Sequence, residues 1–311
     1  MIAKLIIWRL IQLPVLLLVI YTVTFALAWI VPGDPFKLDE GRRPPKEIEQ
    51  AMKARYNLDS PSKFYVGYIS DVVTKLDFGP SLQYRDMTVG KIIQASFPVS
   101  VQLGTAAILI ALVVGTITGT LGAVKRGGIL DWSTMGIALM GISLPTFVTG
   151  SVLLTVFGLT LRWVPVAGWD RFSHVILPAL TLSLPFAAYI ARLTRLGMLD
   201  VLKSDFVRTA RAKGLSERVV LTKHALKVAF LPVLSFLGPA AAGAMTGSFV
   251  VERVFSVPGM GQHFVAAVQN KDQTLIMGVV LVYATMLILF NLAVDVAYHL
   301  VDPRIEFESN D

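Results

Sequence analysis

The chain has 311 residues, 54% of them hydrophobic and only 16% charged, with a mean hydropathy of +0.66. A soluble protein of this size carries roughly 25% charged residues, and here the apolar residues cluster into runs of the about 17–25 residues that cross a bilayer, so a soluble globular protein is excluded. Zero cysteines exclude a disulfide framework, thiolate chemistry and cysteine-ligated metal or iron–sulfur sites, and the net charge of +7 is assigned to loops held in the cytoplasm rather than to nucleic-acid binding.

Six apolar segments are expected, at 10–31, 99–124, 133–158, 175–193, 228–250 and 275–298, giving an all-α integral membrane protein. The first is too long for a signal peptide and ends at PGDP (Pro32–Pro35) without a small-residue cleavage pattern, so it reads as an uncleaved span stopped by proline. Residues 32–98 then form an extracytoplasmic segment, in which Ile48, Met52 and Tyr56 recur at helical spacing. The second span carries Gly115, Gly119 and Gly122 in a small-xxx-small pattern that predicts close helix packing. Beyond the third span, Arg162, Trp163 and Trp169 suit interfacial anchoring.

The fourth span contains Pro178 and Pro185, which predict a kinked helix packed against protein more than lipid; Pro232 and Pro239 do the same to the fifth. In the fifth, Met245, Thr246, Gly247 and Ser248 are small or adaptable enough to line a pathway, although core packing wants the same residues. Glu252 and Arg253 open an extracytoplasmic loop, 251–274, either as an interfacial ion pair or as part of a gate. Asp295 in the last span calls for a structural partner, and Asp302 and Arg304 fix the tail, 299–311. The histidines, His174, His224, His263 and His299, show no ligand spacing, so no metal site is expected.

An even number of spans puts both termini on one side. Placing them in the cytoplasm leaves most of the positive charge inside, chiefly in 194–227, while the long outside segment is nearly balanced with ten basic and nine acidic residues between 31 and 98.

Within that inside loop, RTARAKG (Arg208–Gly214) poses a choice between a charge anchor and a surface built for a partner. Ser204 reads as an N-cap with Asp205 in the first turn, Leu202, Phe206 and Ala210 share one side, and Arg208, Arg211 and Lys213 occupy the others. Gly214 stands where a helix closes through positive φ, and Ser216 starts the next helix. A charge anchor explains the cations. It leaves the glycine and the small residues Ala210 and Ala212 unexplained. No G-x-x-x-x-G-K-[ST] loop occurs, so any ATP hydrolysis belongs to another subunit.

RTARAKG, followed by HALKVAFLP, resembles the "EAA" loop of binding-protein-dependent ABC importer permeases in its peptide and nickel subfamily form. Arg208, Thr209 and Ala210 stand at the E-A-A positions, with arginine in place of glutamate, and Gly214 at the motif's glycine. PGDP, LDFGPSLQYRDMTV (Leu76–Val89), IARLTR (Ile190–Arg195), SFVVERVFSVPGMG (Ser248–Gly261) and VDVAYHLVDPRI (Val294–Ile305) extend the resemblance in order along the chain. The long first outside segment resembles the B-type permease subunit for oligopeptides or dipeptides.

The resemblance implies a six-span permease fold with a cytoplasmic coupling helix, in a bacterial inner membrane. Phe206, Arg208, Thr209, Ala210, Arg211, Lys213 and Gly214 would engage one of two cytoplasmic ATP-binding subunits. The further implied partners are a second homologous permease, an extracytoplasmic substrate-binding protein and a peptide-like substrate, with ATP and Mg held by the ATPases. Nickel complexes are an alternative cargo. A stand-alone secondary carrier would need ionisable residues at mid-span, and an intramembrane protease would need a base for Ser143, Ser151 or Ser183; the sequence offers neither.

Overall fold

A computed structural model describes residues 2–33, 36, 45–84 and 87–301. Asp34 and Pro35 of PGDP, Arg85 and Asp86 of the second matched segment, Asp302, Arg304 and the rest of the tail, and the His299 side chain lie outside the described residues. The described chain is helical apart from turns and one isolated antiparallel bridge between Pro80 and Thr88.

The helices, in chain order, are α1 (Ile2–Ile30), α2 (Lys46–Tyr56), α3 (Pro61–Lys75), α4 (Val89–Val124), α5 (Ile129–Ser143), α6 (Thr146–Leu153), α7 (Phe172–Val201), α8 (Asp205–Ala212), α9 (Glu217–Val219), α10 (Leu226–Ala229), α11 (Leu231–Met245), α12 (Phe249–Val254), α13 (Met260–Gln269) and α14 (Gln273–Val301). Two π-helical stretches, Leu154–Thr160 after α6 and Val220–Ala225 between α9 and α10, interrupt the α-helical ladder.

Among the described residues, five helical segments are long and apolar enough to cross a membrane: Ile6–Ile30, Val89–Val124, Phe172–Val201, Leu231–Val254 and Gln273–Ala297. The remaining expected span, the third at 133–158, is not one helix. Its sequence divides into α5 and the run Thr146–Thr160, bent by 108°. Proline explains the break: Pro145 disfavours helical geometry in the residue before it, and Leu144 is extended at φ −81°, ψ 130°. The fourth span is continuous through both prolines and runs to Val201, so the loop expected from 194 begins about two turns later.

The chain forms two compact units. The first is built on Val101–Val257 with the C-terminal helix from Leu289, and centres on α7. In the segment of α4 that belongs to this unit, glycines bring backbones together. A Cβ on Gly115 would lie 2.7 Å from the Ala187 carbonyl oxygen of α7, one on Gly119 would strike the Ala191 carbonyl, and one on Gly104 would lie 2.5 Å from the Ala244 carbonyl of α11. The small-residue pattern in the sequence is thus a packing device. α7 is the most enclosed candidate span, 56% buried over its apolar window, as its prolines suggested.

The second unit comprises Lys4–Ser100 and Pro258–Ile288. Tyr21 of α1, Phe64 and Tyr68 of α3, and Met277 and Leu281 of α14 are buried in one cluster, with Phe25 and Trp29 packed on it. The Tyr21 hydroxyl donates to the Tyr65 carbonyl at 2.6 Å and the Tyr68 hydroxyl to the Thr274 carbonyl at 3.1 Å, so neither phenol is buried unsatisfied. α1 is otherwise sparsely covered, with 6% of its apolar window buried.

Candidate coupling surface and pathway segment

α8 is short and two-faced. Val207 and Ala210 are buried against Met198 of α7, Ala123 of α4, and Val220, Ala225 and Ala229 beyond the loop. Phe206, Arg208, Thr209, Arg211 and Lys213 are exposed. The helix closes as a Schellman motif: Gly214 N–H donates to the Arg211 carbonyl at 2.9 Å and Leu215 N–H to the Ala210 carbonyl at 3.4 Å, with Gly214 at φ +75°. The glycine therefore has the conformation that its sequence position predicted.

Three details differ from the sequence reading. Phe206 is 45% exposed and does not share the buried face; Val207 takes that place, three residues before Ala210 on the inward side of α8, and Leu202, ahead of the helix, packs on the same cluster. Ala210 is 5% exposed, so its small side chain makes room for this chain's own Val220 region rather than for an approaching surface; Ala212 remains exposed. Ser204 occupies the N-cap position, but its hydroxyl donates backward to the Val201 carbonyl at 2.6 Å instead of capping α8.

Charge on this face is partly tied down. Arg211 makes a two-armed pair with Glu217 at 2.7 and 3.1 Å, which holds the Glu217 carboxyl below its ordinary range and raises the Arg211 guanidinium. Arg208 reaches Asp205 only at 3.5 Å. The outward surface is then an exposed phenyl ring flanked by cations, on a helix anchored from behind by buried aliphatics.

The pathway candidates fall at a break. α11 ends at Met245, which is 8% exposed, and α12 begins at Phe249. Thr246 is the last cap, Gly247 turns the chain at φ +91°, and the Ser248 hydroxyl accepts the Val251 N–H at 3.3 Å as a helix N-cap. Glu252 is fully buried in α12, while its neighbour Arg253 is exposed.

Two buried carboxylates escaped the sequence reading. Asp131, 5% exposed in the first turn of α5, pairs with Arg195 of α7 at 2.6 and 2.8 Å. Arg195 had been read only as part of IARLTR, and nothing local in the sequence announces a partner 64 residues away. Asp272, fully buried before α14, accepts the Ser81 hydroxyl at 2.5 Å and the N–H groups of Leu82, Gln83 and Leu275 at 2.9, 3.3 and 3.1 Å. Burial pushes its carboxyl up, and these donors pull against that shift. An aspartate immediately before an apolar helix is a legible N-cap signal; its long-range donors are not.

Among the described residues no group of three or more histidines, aspartates and glutamates is placed to hold a metal ion.

Comparison with known proteins agrees with this architecture. A chain of the MetNI methionine ABC transporter in inward facing conformations superposes with a TM-score of 0.54 at 18% identity, over 68% of this chain and 96% of its own. A chain of an amino acid ABC transporter with histidines gives 0.52 at 14% identity, over 68% and 94%. At these identities the likeness is one of fold. Dipeptide transport system permease protein DppB of Bacillus subtilis (strain 168) is 41% identical over 291 residues, 93% of this chain and 94% of its own length. Oligopeptide transport system permease protein OppB of Salmonella typhimurium (strain LT2) is 41% identical over 294 residues, 94% and 95%. Residues 1–105 match the N-terminal model, "Binding-prot-dependent transport system membrane comp, N-term". With residues 107–307 matching the model "Binding-protein-dependent transport system inner membrane component", the chain belongs to that family of multi-pass inner-membrane permeases.

Proposed function

We propose that this chain is the permease subunit of an ATP-driven importer that takes up dipeptides or oligopeptides delivered by an extracytoplasmic binding protein, working beside a second permease and two cytoplasmic ATPase subunits. The observation that carries the mechanism is α8: a helix seated on Val207 and Ala210 and closed by Gly214, presenting Phe206, Arg208, Thr209 and Lys213 outward. Such a helix passes force well because its apolar face is packed into the span bundle while its other face is free to fit a cleft. ATP-driven closure of the partner subunits displaces α8, and the displacement enters the spans through α7 and the segment leading to α11. Both termini and α8 then lie in the cytoplasm, and α2, α3 and α13 outside.

The cargo follows from the relatives named for dipeptide and oligopeptide transport. The test is reconstitution of this chain with its second permease, ATPases and binding protein in liposomes, with uptake of a peptide length series and of nickel chelates. Peptide uptake dependent on ATP and on the binding protein is expected. Uptake of nickel chelates in place of peptides would transfer the same architecture to that cargo, and ATP-independent uptake by this chain alone would reject it. Replacing Gly214 by valine adds a β-branched side chain at φ +75°, where a Cβ meets no atom within 4 Å; ATP hydrolysis is expected to continue while uptake falls.

A further inference from the structure

Asp131 and Arg195 sit where three elements meet. Both arms of the Arg195 guanidinium grip the carboxylate, Nε at 2.6 Å from Oδ1 and a terminal nitrogen at 2.8 Å from Oδ2. Gly127, in the turn between α4 and α5, adds its N–H to Oδ2 at 3.0 Å from a left-handed conformation, φ +74°. α4 closes the third side. A Cβ on Gly122 would stand 3.0 Å from Thr134 Oγ1, 3.3 Å from Asp131 Oδ1 and 3.4 Å from Arg195 Cδ.

A two-armed arginine–carboxylate pair is directional in a way that an apolar contact is not. Stability alone does not call for it, since a buried ion pair is often matched or bettered by packed hydrophobic residues. What the pair supplies is a fixed register between α5 and α7. Its neighbours give that register a use. Ala123 follows Gly122 in α4 and Met198 lies one turn beyond Arg195 in α7. Both belong to the buried cluster that receives Val207 and Ala210 of α8. The tie therefore lies directly behind the surface that α8 presses on, and at the near end of the helix that breaks at Leu144–Pro145.

The geometry points to Asp131 and Arg195 as a latch that stays closed through the transport cycle and carries the displacement of α8 into α5. The inference rests on the reading of α8 as the ATPase-coupling helix. Both act as positioning residues. Physical contiguity alone does not establish coupling, so the test reads coupling directly, as solute taken up per ATP hydrolysed by the reconstituted complex.

Asp131→Asn and Arg195→Lys are expected to assemble and to hydrolyse ATP within about twofold of wild type, with uptake per ATP lowered about tenfold. The chain contains no cysteine, so Asp131→Cys with Arg195→Cys places a unique thiol pair in it. Before cross-linking this double variant should be uncoupled, and a short bismaleimide should restore uptake per ATP to within about threefold of wild type. Unchanged uptake per ATP in both single variants overturns the latch, as does a tether that fails to restore coupling. Loss of assembly in Arg195→Lys, which keeps the charge, overturns it in favour of a purely folding role. A wild-type complex that moves no peptide refutes the cargo reading instead; the latch is then judged on the same ratio with whichever solute is moved.

Discussion

Single residues set the limits of this fold at glycines and buried carboxylates. Gly119 lies against the α7 backbone at Ala191, with no flexible side chain to give way. Gly119→Val is expected to cost about 1–3 kcal/mol, read as a lower melting temperature of the detergent-solubilised chain. Asp272→Asn turns an amide NH2 toward N–H and O–H donors; about 1–3 kcal/mol of local stability should be lost, seen as faster amide exchange at Leu82 and Leu275. The Arg211–Glu217 pair is worth less, under about 1 kcal/mol, because both side chains are 42–54% exposed. Its sign is fixed: the folded carboxyl titrates below its ordinary value of 4.5, so the contribution is complete above that pH and fades as pH falls below it. A pH titration of Glu217 by NMR checks the direction. Gly214 and the small-residue pattern were legible at this scale because each obeys a local rule. Asp131 with Arg195 was not, since its meaning lies in a contact between distant helices.

Elements were legible where hydropathy alone decides them. The long spans follow their apolar runs, but the ends do not: α4 begins ten residues before the apolar segment expected from 99, and α7 continues to Val201. Helices outlast the hydrocarbon, and hydropathy reports only the hydrocarbon. The third segment shows the converse. Its apolar run is unbroken, yet Ser143–Leu144–Pro145 bends it by 108°. In the fourth and fifth spans the helix passes through Pro178, Pro185 and Pro239, and Pro232 stands in the first turn of α11; in the third, Pro145 breaks the chain. Pro145→Ala should let α5 extend; spin labels at Trp132 and Phe157 would then report a longer separation. α8 illustrates the remaining gap. A helix of eight residues has too few positions for periodicity to fix its buried side, so Phe206 and Val207 were interchangeable in sequence and are opposite in structure.

For the whole molecule, family and membrane class are secure from sequence, fold and relatives together, whereas orientation follows only from charge. Because the chain lacks cysteine, orientation can be read by labelling single exposed positions. Ser62→Cys at the start of α3 should react with an impermeant maleimide in intact cells, and Ser216→Cys, after α8, only once the membrane is opened. The reverse pattern would invert the topology.

The enclosure of α7 also bears on how the chain is made. Thr181, Ser183 and Thr194 are buried in it alongside two prolines, a poor composition for a helix released singly into lipid. Part of its cover comes from α10 and α11, which follow α7 in the chain and leave the ribosome after it. Biogenesis therefore has a waiting step: α7 must be sheltered, by α4 or by the insertion machinery, until the next span arrives to take its place against it.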